Sequence, residues 1–132
     1  TTAPTLVITA ASPQHPLIPQ LQARGVEVVH LDSLTPTAVM EQLYQRGMMT
    51  VLWECGGSLA AAAIAEGMVQ KVWAFIAPKI IGGSRAPVPV ADLGFTKMDE
   101  ALCLEDVSWQ TVGEDLLVVG YLPSRSPAPS PQ

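Results

Sequence analysis

The chain has 132 residues, of which 48% are hydrophobic and only 14% are charged, and its formal net charge is −5. This length is enough for one domain with a real core, and the thinly charged surface predicts cover by a partner subunit or by a further part of the same protein. The composition argues against nucleic acid as a partner, because the net charge is negative and no Lys/Arg cluster occurs. No apolar run is long enough to span a membrane, and no signal pattern opens the chain.

The cysteine content argues against a disulfide scaffold. Cys55 and Cys103 have neither metal-ligand nor redox spacing. His15 and His30 complete no zinc motif with them, so we expect no metal site. No motif ties either histidine to Cys55 as a nucleophile. A reduced, cytoplasmic location fits this composition best.

The first part of the chain predicts two strand-helix units. Residues 5–9 form a compact β-type run, and a helical stripe through residues 17–21 ends before Gly25. Residues 26–31 return to strand composition. Thr35 and Pro36 then predict an N-cap followed by Pro at the first helical position, in a helix that stops before Gly47.

A third unit follows at residues 50–67. It consists of a β-type run, the pair Gly56 and Gly57, and an Ala-rich segment with strong helix propensity that stops near Gly67. Three units with short joins favour parallel strands with right-handed crossovers in an α/β sheet.

The remainder predicts an antiparallel end to the domain. A strand over residues 71–81 is expected to bend or lie at an edge at Pro78, and an irregular segment follows to about residue 99. Residues 102–112 and 116–122 predict a hairpin around Gly113. The last ten residues, 123–132, are rich in Pro and Ser and predict a disordered tail after a single domain over 1–122.

The Gly pair is the candidate binding feature. Residues without a Cβ let backbone N–H groups approach a ligand, and the positive end of the following helix favours a phosphate. Glu54 is expected at the carboxyl end of the preceding strand, where open α/β sheets place ligands. An ordinary strand-helix connection stays an alternative, since neither nucleotide fingerprint is complete. Glu54 could equally be a partner of the helix N-terminus. Ser58 lacks the second Gly of a nucleophile elbow.

Five motifs occur in the order and spacing of one family. Over residues 5–122 the chain resembles the C-terminal reductase domain of the bifunctional riboflavin-biosynthesis deaminase/reductase, which has a dihydrofolate-reductase-like fold. The resemblance implies a mixed sheet with three βα units, a further strand, an antiparallel C-terminal hairpin and helices on both faces. The motifs lie at residues 45–47, 51–59, 65–69, 76–83 and 112–116.

The resemblance also implies an activity. In this family NADPH reduces the ribosyl group of 5-amino-6-(5-phosphoribosylamino)uracil to ribityl, and related reductases are commonly dimeric. Glu54 matches the substrate-contacting acidic position, and no residue here matches a general acid. The positions that match cofactor contacts are Thr9, Gly56, Gly57, Ser58, Leu59, Ala60, Ala61 and Ala62.

Three departures from the family pattern bear on activity. The family's domain begins with a further segment that nothing here matches, so the chain resembles its second, cofactor-binding half. Gln70 and Lys71 stand where the family commonly has Asp and Glu, and Cys55 occupies a position that is usually small. Two alternatives are a pterin or dihydrofolate reductase of the same fold, and a non-catalytic assembly module that pairs through the strands around Trp73 and residues 116–122.

Overall fold

The computed structural model describes residues 3–83 and 85–123. The chain divides into two compact units, Thr1–Leu52 and Trp53–Gln132, and each is described by itself. Within the described residues, no helix combines the length and the apolar character needed to cross a membrane. The predicted Pro/Ser-rich tail lies outside the described residues, apart from Pro123.

The first unit contains the two predicted strand-helix repeats. The strands pair in parallel, with Leu6 opposite Glu27 and Thr9 opposite His30, so the predicted parallel arrangement is confirmed here. In chain order the elements are β1 (Leu6–Thr9), α1 (Leu17–Ala23), β2 (Glu27–His30) and α2 (Pro36–Gln45).

Helix α2 begins and ends as its sequence predicts. Thr35 is extended, and its Oγ1 accepts a hydrogen bond from the Ala38 N–H at 3.2 Å. Pro36 occupies the first helical position, where no intrahelical N–H is needed. Beyond the helix, Gly47 has φ +80°, a left-handed conformation that glycine adopts without a Cβ clash.

An ion pair joins the end of α2 to β2. Both guanidinium nitrogens of Arg46 donate to the Glu27 carboxylate, at 2.9 and 2.7 Å. This paired hydrogen bonding lowers the pKa of Glu27 below its ordinary value and raises the pKa of Arg46. The pair is solvent-exposed, so its contribution to stability is small.

The second unit combines one helix with a three-stranded antiparallel sheet in the order β3-β5-β4. Val112 pairs with Asp115, which leaves a two-residue turn, and Gly113 has φ +62° at its first position, as a type II′ hairpin turn requires. The predicted C-terminal hairpin is therefore confirmed. The elements are α3 (Gly57–Ala65), β3 (Lys71–Ile76), a 3₁₀ turn (Met98–Glu100), β4 (Glu105–Val112) and β5 (Asp115–Tyr121).

The prediction of a third strand before α3 is wrong. Residues 51–56 belong to no β-ladder, and residues 51–55 form no backbone hydrogen bond to any described residue. A strand needs a neighbour to satisfy its N–H and C=O groups, which local composition cannot supply. The described strands accordingly form two sheets, one parallel and one antiparallel, instead of one mixed sheet. Strand β3 also ends at Ile76, before Pro78.

Few side chains are buried. Among the described residues, the buried hydrophobic ones are Ala61, Ala63, Leu117 and Val118. Trp73 and Trp109, on the outer strands of the antiparallel sheet, are 60% and 64% exposed. Such exposure of large apolar side chains is typical of surfaces that are covered in an assembly, as the composition predicts.

Candidate functional site

The start of α3 is an uncapped helix N-terminus. Gly56 is the N-cap residue in extended conformation, and it has no side chain to accept from the first turn. Within residues 3–83 and 85–123, the N–H groups of Gly57, Ser58 and Leu59 have no acceptor. The first turn also carries no acidic residue. These groups, with the positive end of the helix dipole, form an arrangement that favours an anion.

This helix start is accessible from solvent on one side and anchored on the other. Gly56 and Ser58 are exposed, and Leu59 is 45% exposed. Ala61 and Ala63 are buried. The small side chains therefore let α3 pack closely while its first turn stays open.

The two glycines have different surroundings. A Cβ built on Gly56 meets no atom within 4 Å, so space is open beside it. A Cβ on Gly57 would lie 2.4 Å from the Val88 carbonyl oxygen and 3.2 Å from the Ala91 nitrogen. The sequence predicts that both glycines allow a ligand to approach. The structure shows open space only at Gly56 and packed backbone at Gly57.

Glu54 lies in the extended segment before the turn instead of at the end of a strand. Its side chain is exposed, and the described part of the chain offers its carboxylate no hydrogen-bond or ionic partner. Cys55, which follows it, is half-buried with a free thiol. Glu54 is thus free to accept hydrogen bonds from a ligand.

Thr9 belongs to the first unit, whereas Glu54 and residues 56–62 belong to the second. It is the last residue of β1, and its Oγ1 accepts a hydrogen bond from the Ala11 N–H at 3.0 Å. The hydroxyl thereby stabilises the turn after the strand, and its hydrogen remains available to donate.

Sequence reasoning missed the segment that lies beside α3. Residues 91–93 and one side of the helix line a shallow depression of about 410 Å³. The irregular composition of residues 91–93 does not predict which part of the chain they contact. The one local signal is that the helix residues lining the depression all have small side chains. The depression is lined by Ser58, Ala61, Ala62, Ala65, Ala91, Asp92 and Leu93.

A second, larger depression of about 510 Å³ lies at the other end of α3. Its lining includes Gly67, Gln70, Glu105 and Tyr121, none of which the sequence marks as a site residue. Because it is remote from the open helix start, it contributes nothing to a site at Gly56.

Comparison with known families matches residues 1–118 to the model described as RibD C-terminal domain. Riboflavin biosynthesis protein RibD of Synechocystis sp. is 56% identical over 120 residues, which cover 91% of this chain and 33% of that protein. Riboflavin biosynthesis protein PYRR, chloroplastic, of Arabidopsis thaliana is 51% identical over 118 residues, 89% of this chain and 20% of that protein. The chain therefore spans only a fifth to a third of these relatives.

A more distant relative has a name that states a reaction. The 2,5-diamino-6-ribosylamino-4(3H)-pyrimidinone 5′-phosphate reductase of Methanothermobacter thermautotrophicus is 31% identical over 117 residues, 88% of this chain and 54% of that protein. Among solved structures, Acinetobacter baumannii RibD superposes with a TM-score of 0.68 at 19% identity, over 89% of this chain and 37% of that one. The structural likeness supports a common α/β fold.

Proposed function

Because the chain belongs to the RibD C-terminal domain family, we propose that it is part of a riboflavin-biosynthesis reductase and binds NADPH at the start of α3. The uncapped first turn carries this proposal. Three N–H groups without an acceptor in the described part of the chain, beside a glycine with open space, match the donors that a nucleotide phosphate needs. A Gly at the N-cap also removes the side chain that would otherwise occupy those donors.

The proposed substrate is the small phosphoribosylamino-pyrimidine 5-amino-6-(5-phosphoribosylamino)uracil. When bound, NADPH supplies the hydride that reduces the ribosyl carbon. The chain's own contribution is positioning: the first turn of α3 holds phosphate, and the free Glu54 carboxylate accepts hydrogen bonds from the substrate. In this proposal Thr9 is a further cofactor contact, and residues 58–62 line the helix side of the site.

No residue of this chain is assigned as the general acid that protonates the sugar oxygen. No residue of this chain is assigned a catalytic role. A homodimer and a cytoplasmic location stay predictions that rest on the resemblance and the composition.

The second candidate function is a non-catalytic assembly module. The exposed side chains of Trp73 on β3 and Trp109 on β4 favour it, because large aromatic residues are enriched at protein interfaces. The predicted pairing of residues 116–122 with another subunit is wrong, because β5 lies between β3 and β4 and both of its edges are already paired. A dimer that forms through β3 and β4 is compatible with NADPH binding. This candidate would be favoured over the reductase only if the chain forms a dimer and does not bind NADPH.

Calorimetric titration of the purified chain with NADPH, and with NADH as the comparison, tests the proposal. We expect saturable binding of NADPH, since the helix start has its donors arranged before any ligand is bound. Stronger binding of NADPH than of NADH would support NADPH as the cofactor. Absence of saturable binding to either nucleotide would contradict the proposed cofactor role of this chain.

A further inference from the structure

Gly57 is the point where a loop backbone packs against the first turn of α3. The Val88 carbonyl oxygen would lie only 2.4 Å from a Cβ at this position, closer than real Cβ contacts come. The obstructing atom belongs to the main chain, so it cannot rotate away as a flexible side chain would. Any residue other than glycine at position 57 must therefore displace the backbone around Val88.

A hydrogen bond fixes the same contact. The Ala91 N–H donates to the Gly57 carbonyl oxygen at 3.0 Å. Within the described residues between β3 and β4, the other backbone hydrogen bonds are local, such as the one from the Ala86 N–H to the Gly83 carbonyl at 3.1 Å. The bond to Gly57 is thus the one described backbone hydrogen bond that ties this long irregular segment to a helix or strand.

The tether places residues 91–93 along one side of α3. Ala91 and Asp92 face the depression whose other side is formed by Ser58 and Ala61. Asp92 also accepts the Gly94 N–H at 2.7 Å, which gives the segment a local turn of its own. Residues 91–93, which form one wall of this depression, are therefore held in place by the contact with Gly57 at the helix start.

We propose that Gly57 is a positioning residue of the nucleotide site, which holds the segment 88–93 as a wall beside the open first turn of α3. The inference rests on the proposed function of that turn. Both the segment 88–93 and the nucleotide phosphate contact the first turn of α3. The order of this segment and the affinity for the nucleotide are therefore thermodynamically linked. Gly56 provides access to the donors, of which the Gly57 N–H is one, whereas the missing Cβ of Gly57 acts through the loop backbone.

The test compares hydrogen–deuterium exchange and NADPH affinity in variants of the full 132-residue chain. Gly57→Ala introduces the Cβ. In a second variant, L-lactic acid replaces Ala91, so that an ester removes the N–H donor without adding an atom near Gly57. L-lactic acid in place of Ala86 is the matched control, because it removes a local bond of the same segment. Circular dichroism verifies that each variant keeps its helices.

We expect Gly57→Ala and the ester at 91 to accelerate exchange of the Gly94 N–H, which donates to the Asp92 carboxylate, by about tenfold or more, as loss of a local tether does. Both should also weaken NADPH binding by about tenfold, equivalent to about 1.4 kcal/mol. The ester at 86 should leave NADPH affinity at the wild-type value. If Gly57→Ala does not fold, the ester at 91 alone decides the proposal.

Two results would overturn the inference. Unchanged exchange of the Gly94 N–H in the ester variant at 91 would show that the contact does not position the segment. Faster exchange with wild-type NADPH affinity would show that the segment has no role in binding. Failure of the proposed function is distinguishable from both, because the unmodified chain would then not bind NADPH at all.

Discussion

The helices α2 and α3 begin in opposite ways. At α2 the Thr35 hydroxyl accepts the Ala38 N–H, so the chain satisfies part of its own helix start. At α3 the N-cap is Gly56, and three N–H groups find no acceptor among the described residues. A capped start contributes to stability, whereas an open one keeps its donors for a ligand. The difference separates a structural helix terminus from a candidate binding site.

Closing the open start should have the largest effect on binding. Gly56→Asp supplies a carboxylate that accepts from the first turn of α3 and repels phosphate. We expect at least a tenfold loss of NADPH affinity, since hydrogen bonds to charged groups contribute about 1.5–3 kcal/mol. Thermal stability should stay the same or rise by a few tenths of a kcal/mol, because Asp is the better N-cap. Calorimetry and thermal melts measure both quantities.

Gly56→Asn is the matched control for charge. It caps the helix nearly as well as Asp but brings no negative charge, so its loss of affinity should be smaller than that of Gly56→Asp. Equal affinity of wild type and both variants would show that the donors of the first turn do not contact the nucleotide.

Removing the cap of α2 should lower stability without changing NADPH affinity. Thr35→Ala removes the acceptor for the Ala38 N–H, and we expect a loss of about 1 kcal/mol in the free energy of unfolding. NADPH affinity should not change. Chemical denaturation measures the first quantity and calorimetry the second, with Thr35→Ser as the variant that restores the cap. A tenfold weaker affinity in Thr35→Ala would remove the distinction between the two helix starts.

Removing the ion pair at the C-terminal end of α2 should have the smallest effect, a change in how stability depends on pH. The pKa of Glu27 is lowered in the folded chain by its hydrogen bonds with Arg46, so the pair stabilises the fold above the ordinary Glu pKa. Its contribution is lost as the pH falls below about 4.3 and through the lowered pKa. Glu27→Gln should therefore flatten this acid-range dependence slightly, as thermal melts between neutral and acid pH would detect. If the dependence of the melting temperature on pH does not change, the exposed pair contributes nothing measurable to stability.

Local signals predicted the helix ends and the hairpin. Thr35 with Pro36 marks the start of α2, Gly47 marks its end, and Gly113 supplies the positive φ of the hairpin turn. Each of these depends on the conformation of one or two residues, which composition and spacing reveal.

Two features depended on distant parts of the chain and could not be predicted in this way. Residues 51–55 have β-type composition, but no described neighbour pairs with them. The need for glycine at position 57 arises from Val88, thirty-one positions along the chain. The sequence indicated the Gly pair and the helix that follows, yet the division of roles between Gly56 and Gly57 required the structure.

In the proposed site, nucleotide phosphate binds the open first turn of α3. Amide NMR spectra of the chain during titration with NADPH test it directly. We predict that the amide signals of Gly57, Ser58 and Leu59 shift with a common saturation curve, while that of Ala38 at the capped start of α2 does not. Saturable binding without shifts at these three amides, or no binding at all, would contradict the claim.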